Sequence, residues 1–190
     1  RLSQAITVTP NQFTNTSKPV LVGTLAMGSR IKATLITSWE KGAKYSYQWL
    51  SNGVEVSGAV SSIYTITAAD VDTSLSVRVC ANKTTFAQKC EESLATQNIA
   101  KADIKTSAKP MLKIATTRLG AQVTGMPGKW QSGVNLSFAW LRDGVVIEGE
   151  NRDSYVLTSA DHGHSISFQV TGSKPGYNDL TRVSDSKVLN

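Results

Sequence analysis

The feature that most constrains this chain is that it repeats itself. Shifted by 91 residues, Lys18-Pro19 falls on Lys109-Pro110, Trp39 on Trp130, Trp49-Leu50 on Trp140-Leu141 and Gly53 on Gly144. The stretch Tyr64 to Val79 falls on Tyr155 to Val170, with Tyr64, Thr67, Ala69, Asp70, Ser74, Ser76 and Val79 each meeting its own residue type. One slip interrupts the register: Gly28 meets Gly120 at a shift of 92, and the extra residue is lost again before Trp130. A compensated slip between fixed points is loop variation within a shared fold. A chain of 190 residues suits one large domain or two of about 90 to 100 residues each, and the repeat selects two.

Each copy reads as β. Two-residue alternation puts Tyr47 and Trp49 on one strand face, and Phe138 and Trp140 likewise. Asn52-Gly53 and Asp143-Gly144 follow at once, dipeptides suited to the two φ > 0 positions of a tight hairpin turn. Further strands alternate through Tyr64 and Ile66, and through Tyr155 and Leu157. Others run through Leu75, Val77, Val79 and through Ile166, Phe168, Val170. No segment carries a sustained apolar stripe of helical period. Seven or so short strands per copy predict a sandwich. Residues 18–99 form the first predicted domain and 100–190 the second. Residues 1–17, equivalent in register to 92–108, are expected to be a linker or the closing strand of a preceding module, so that the chain is part of a longer array.

Composition narrows the functional classes. Apolar residues make up 40%, enough for packed cores. No run approaches the roughly 18 apolar residues of a membrane span. Arg1 to Gln4 is not a signal peptide, so a targeting segment is expected outside these residues. The net charge of +6 divides into about +3 for each half. Nucleic-acid binders concentrate their basic residues on one face or helix, so nucleic acid is not an expected partner.

The two cysteines, Cys80 and Cys90, flank a hairpin-like loop from Ala81 to Lys89. Facing each other across paired strands, they fit a disulfide and hence an oxidising compartment; two free core thiols are the alternative. Both histidines lie in the other half, which argues against zinc.

At this point the strings resemble a known family. Tyr47-Gln-Trp-Leu-x-x-Gly53, Tyr64-x-Ile-x-Ala-Ala-Asp-Val71 and Leu75-Ser-Val-Arg-Val79 are similar to the bacterial immunoglobulin-like repeats of secreted and wall-associated actinobacterial proteins. The second copy offers Trp140-Leu-Arg-Asp-Gly144, Leu157-Thr-Ser-Ala-Asp161-His-Gly163 and Val170-Thr-Gly-Ser-Lys-Pro-Gly-Tyr177. The family's Gly-x-Trp element is Gly128-Lys-Trp130, whereas copy one has Ser38-Trp39 without the glycine. The resemblance spans residues 18 to 190. It implies an all-β chain of two tandem immunoglobulin-like β-sandwich domains, exported to the cell surface or beyond. It implies no particular activity, because such repeats are appended to hydrolases, proteases and adhesins alike. Copy one departs from it with Cys80 and Cys90 in place of Thr171 and Thr181, and with Lys83-Thr-Thr-Phe86 in place of Lys174-Pro-Gly-Tyr177.

Individual residues follow. Trp49, Trp140, Tyr64 and Tyr155 are expected in the cores, the tryptophans being similar to the central Trp of immunoglobulin sandwiches. Asp70 and Asp161 follow a strand end and are expected to fix the next turn by side-chain to backbone hydrogen bonds. Trp39 and Trp130 sit in loop-like surroundings; each either folds over its own sandwich or offers an indole face on which a sugar ring stacks. His162 and His164 flank Gly163 and make at most a weak metal pair, better read as a solvated turn. Glu55, Asp143, Glu148 and Glu150 lie beside turns as surface residues. No nucleophile elbow, phosphate cradle or EF-hand loop is present in the sequence. The expected protein is therefore non-catalytic and without cofactor or metal. It is a structural spacer whose partners are the neighbouring domains of a longer chain. The alternative is an adhesion or carbohydrate-binding module for a cell-surface polysaccharide or protein, with Trp39 and Trp130 as contacts and no membrane insertion.

Overall fold

The computed structural model describes residues 9–189. The chain divides into two compact units after Lys101. The first holds β1 (Val20–Gly23), β2 (Arg30–Thr34), β3 (Lys44–Ser51), β4 (Val54–Glu55), β5 (Ile63–Thr65), β6 (Leu75–Asn82) and β7 (Lys89–Glu92). The second holds β8 (Ala102–Asp103), β9 (Met111–Lys113), β10 (Gln122–Met126), β11 (Asn135–Arg142), β12 (Val145–Val146), β13 (Ser154–Val156), β14 (Ser165–Ser173), β15 (Tyr177–Asn178), β16 (Leu180–Val183) and β17 (Lys187–Val188).

Each unit is a pair of sheets around its own core. In the first, the order β1-β2-β5 faces β4-β3-β6-β7. In the second, β9-β10-β13 faces β12-β11-β14-β16, with β17 also on β14. The pairings within these sheets are antiparallel. Alternation decides what lies between them. Leu75, Val77, Val79 and Ala81 of β6 are fully buried against Ile31 and Ala33 of β2. Ile166, Phe168 and Val170 of β14 meet Val123 of β10 in the same way. The chain is an all-β pair of immunoglobulin-like sandwiches.

The hairpin turns follow their dipeptides. Asn52 and Gly53 have φ of 47° and 79°, Asp143 and Gly144 49° and 80°. Two successive left-handed residues match the twist of the flanking strands. The turn side chains then reach the start of the next long strand: Asn52 Oδ1 accepts from the Ser74 N–H (2.9 Å), and Asp143 Oδ1 from the Ser165 N–H (2.8 Å).

The segment before Lys18, expected as a linker or closing strand, has its first eight residues outside the described ones. From Asn11 it runs along the first unit. Asn11 bridges Phe86 in parallel, and Phe13 is buried against the Phe86 ring at a centroid distance of 5.1 Å. The second unit repeats this at a shift of 91: β8 pairs with β15 in parallel, Ala102 opposite Tyr177, and Ile104 is buried. Each sandwich thus opens with a strand laid against its own last hairpin.

Candidate functional site

The most organised polar group in each unit is built from a tryptophan outward. Trp49 on β3 is wholly buried, and its indole N–H donates to the Ser61 carbonyl (2.8 Å). Its ring stacks on Tyr64 of β5 at 5.4 Å. The Tyr64 hydroxyl donates to Asp70 Oδ2 (2.8 Å), which also accepts from the Thr67 N–H and hydroxyl, both at 2.8 Å. The carboxylate thereby closes the single 3₁₀ turn Ala68–Asp70 that leads into β6. A buried carboxylate tolerates its loss of water only with such donors around it. Burial first, then the hydrogen bond to Asp70 and its charge, push the Tyr64 phenol up to about 12.

The second unit repeats every part. Trp140 donates to the Arg152 carbonyl (2.9 Å) and stacks on Tyr155 at 5.5 Å, and Tyr155 donates to Asp161 Oδ2 (2.9 Å). One part is new. Arg142 Nε donates to Asp161 Oδ1 at 2.7 Å, where the first unit has Ser51 at the equivalent place. Burial pushes the Asp161 carboxyl up, but the Thr158 N–H, Arg142, Tyr155 and the Thr158 hydroxyl outweigh it and hold the carboxyl below its ordinary value. Both carboxylates are 1–2% exposed. Their lone pairs point into protein, which makes them staples between strand and turn.

Trp39 does not offer a stacking face. It is 1% exposed, its indole N–H donates to the Ser17 carbonyl (3.1 Å), and Tyr45 meets it edge-on at 5.8 Å. Trp130 is half-buried, donates to the Pro127 carbonyl (3.0 Å) and lies on the backbone of Gly172, where an added Cβ would come within 2.5 Å of the ring. Each of the two indoles packs within its own unit.

His162 and His164 are exposed. His164 Nδ1 lies 2.6 Å from Asp143 Oδ2. The Ser165 N–H, His164 and the Ser165 hydroxyl hold the Asp143 carboxyl down at about 2. Among the described residues no group of three His, Cys, Asp or Glu side chains is placed to hold a metal ion. Glu55 pairs with Arg78 (2.8 Å) across the outer face of the β4-β3-β6 hairpin region.

Cys80 and Cys90 are directly opposite each other on β6 and β7 and form a disulfide. Thr171 and Thr181 hold the same places in the second unit, with their hydroxyls 2.9 Å apart. The loop enclosed by the disulfide carries Lys83 over the Phe86 ring at 4.5 Å, just as Lys174 lies over Tyr177 at 4.9 Å. Despite their different strings, the two loops make the same cation–π contact. Sequence reasoning missed Arg142 as a partner of Asp161, Ser17 as the acceptor for Trp39, and the parallel opening strand. All three join residues far apart in the chain.

No family model and no curated protein matches the chain. Solved structures that resemble it include a two fibronectin type-III domain segment from chicken tenascin (12% identity, 88% of this chain and 98% of that one, TM-score 0.36). The fibronectin(III)-like modules of Clostridium thermocellum CbhA are similar at 14% identity over 93% of this chain and 89% of that one, with a TM-score of 0.29. Tandem Ig repeats of Dlar follow at 10% identity, 90% and 93% coverage and a TM-score of 0.23. At such values the fold class rests on the chain's own sheets and cores: it is a tandem of two immunoglobulin-like repeats.

Proposed function

We propose that the chain is a non-catalytic spacer module of an exported, cell-surface bacterial protein, holding neighbouring domains of a longer chain away from their anchor. The observation that supports this reading is the duplicated Trp–Tyr–Asp staple, in which the aromatic and acidic groups that could face a ligand face inward instead. Every fully buried side-chain polar atom among the described residues has a hydrogen-bond partner. The disulfide favours an oxidising location outside the cytoplasm. A spacer has to bear load, and the long β3·β6 and β11·β14 pairings, each of eight residue pairs, give each unit a cooperative ladder for it.

The test is to pull the chain end to end in a single-molecule force experiment. Two separate unfolding events are expected. The chain released by the first unit should lengthen under reductant, when Ala81 to Lys89 is freed from the disulfide. Gradual extension without discrete events, or saturable glycan binding or catalysis by the isolated chain, overturns the spacer reading. The adhesion or carbohydrate reading now turns on Trp130 alone, since Trp39 is enclosed. A glycan array on which the parent chain binds nothing removes it.

A further inference from the structure

The two units build the same staple beside different neighbours. Ser51 and Arg142 hold one place, the last residue of β3 and of β11, opposite Leu75 and Ile166. In the second unit the Arg142 guanidinium reaches the staple. Its Nε donates to Asp161 Oδ1 at 2.7 Å, Nη2 lies 2.6 Å from the same oxygen, and the Tyr155 hydroxyl oxygen accepts from Nη2 at 3.4 Å. Ser51 makes no such contact. It is tied instead to Thr73, their hydroxyls 2.7 Å apart.

Asp70 is thereby left with one oxygen in use. Oδ2 accepts from the Tyr64 hydroxyl and from the Thr67 N–H and hydroxyl, whereas Oδ1 accepts from no donor among the described residues. Every fully buried side-chain polar atom among those residues has a partner, so Oδ1 is not fully enclosed, although Asp70 as a whole is 2% exposed. Beside it lies a groove of about 540 Å³, lined by Ser51, Tyr64, Thr67 and Asp70 together with Val60 and Ile63. Asp70 is the only charged residue in that lining. Val60 and Ile63 are exposed, where the second unit has Asn151 and Ser154. Tyr64 is half-buried, whereas Tyr155, touched by Arg142, is buried. The groove thus offers a carboxylate oxygen, a phenol oxygen and an apolar flank. A guanidinium on a methylene stem fits all three.

We propose that this groove is a binding site for an arginine side chain supplied by another polypeptide. Its guanidinium takes, on Asp70 Oδ1 and the Tyr64 hydroxyl oxygen, the place that Arg142 takes within the second unit. Charge selects the occupant, since the lining carries one acid and no base. The repeat selects it again, since the equivalent acid is already held by a guanidinium on a side chain of the chain itself. A nearly buried carboxylate gains from a donor that replaces its lost water. The site goes beyond the spacer reading and does not rest on it.

The experiment titrates the full chain with N-acetyl-arginine amide and, separately, with the uncharged isostere N-acetyl-citrulline amide, and follows backbone amide resonances. Saturable shifts are expected at Ser51, Tyr64 and Thr67, with citrulline binding at least about tenfold more weakly. Arg142, Tyr155 and Thr158 should stay unmoved, because their seat is filled. Asp70→Asn should remove the shifts, but it also loosens the turn. Ser51→Arg is therefore the decisive variant: it supplies the guanidinium from within, and should abolish binding while the first unit melts higher. Absence of saturable shifts in the parent overturns the proposal, as do equal affinity for citrulline and binding that survives Ser51→Arg. Shifts of the same resonances that grow with protein concentration, without any probe, would overturn a separate partner in favour of a second copy of the chain. None of these outcomes depends on the force experiment, so the two readings fail separately.

Discussion

The first and second units share a skeleton and differ in how they hold it. Both carry the tryptophan, the stacked tyrosine and the buried aspartate, with equivalent hydrogen bonds. The first adds a covalent link between Cys80 and Cys90, the second an ion pair between Arg142 and Asp161. The cores also differ in a compensated way. Ala33 and Val77 belong to one core in the first unit; the second has Gly125 and Phe168 at the equivalent positions, and a Cβ built on Gly125 would collide with the Phe168 ring. Volume removed from one sheet is returned by the other. The fold fixes the staple and leaves the surrounding reinforcement to vary.

The largest expected effect tests the shared part. Trp49→Ala and Trp140→Ala each remove a wholly buried indole, a hydrogen bond and a stacking partner, and should cost about 3–5 kcal/mol in the affected unit. Chemical denaturation of the chain should show one unit's transition displaced and the other's retained. Equal loss in both units would mean that the cores are not separate.

The unit-specific reinforcements come next. Replacing Cys80 and Cys90 together by threonine, the second unit's own pair, should destabilise the first unit by roughly 2–3 kcal/mol, the loop-closure value for so short a loop. Reductant should lower the melting of the parent's first unit and leave that variant unmoved. A smaller loss would show the Thr–Thr hydrogen bond replacing much of the link. In the core, Gly125→Ala should cost about 1–3 kcal/mol by overpacking, and the double change Gly125→Ala with Phe168→Val should recover part of it. Simple additivity of the two single changes would break the claim of compensation.

The staple of the second unit also carries a pH signature. Asp161 is held below its ordinary value when folded, so its stabilisation is present above the unfolded carboxyl's value near 3.9 and is lost as pH falls through the lowered folded value. Acid should therefore weaken the second unit, and Arg142→Ser should flatten that dependence by removing one of the donors. Melting curves of the parent and the variant between neutral pH and acid would decide it.

Much of this architecture is legible in the string because it is local. Alternation around Trp49 and Trp140, Asn-Gly and Asp-Gly after the long strands, and a single period of 91 are all readable within a few residues or by one shift. What is not legible is set by partners far away in sequence. Trp39 reads as a loop residue beside Ser38 and Glu40, yet it is enclosed because Ser17 and Tyr45 come to it from elsewhere. Phe13 falls in the stretch read as a linker or a preceding module's closing strand, and Ile104 at the very start of the second predicted domain, and only the parallel pairing with the last hairpin makes them core. Arg142 carries no local sign of its pairing with Asp161, since nineteen residues separate them and β14 follows before the strand geometry is complete.

The smallest expected effect lies in the last hairpin, where the loops look most different. Gly176 has a φ of 79°, and its counterpart Thr85 has a φ of 68°. A β-branched residue is strained in that region, whereas glycine enters it freely. The strain is offset by what surrounds it: the Thr85 carbonyl accepts from the Asn11 N–H at 2.8 Å, and Lys83 and Phe86 hold the turn on either side. Thr85→Gly should therefore stabilise the first unit, by no more than about 1 kcal/mol because glycine also gains freedom in the unfolded chain. Gly176→Thr should destabilise the second by a similar or larger amount. Thermal melts of the two single variants check both signs. If Thr85→Gly weakened its unit, the loop would owe its shape to the threonine side chain, and the cation–π contact shared by Lys83 and Lys174 would be reached by two different backbone routes.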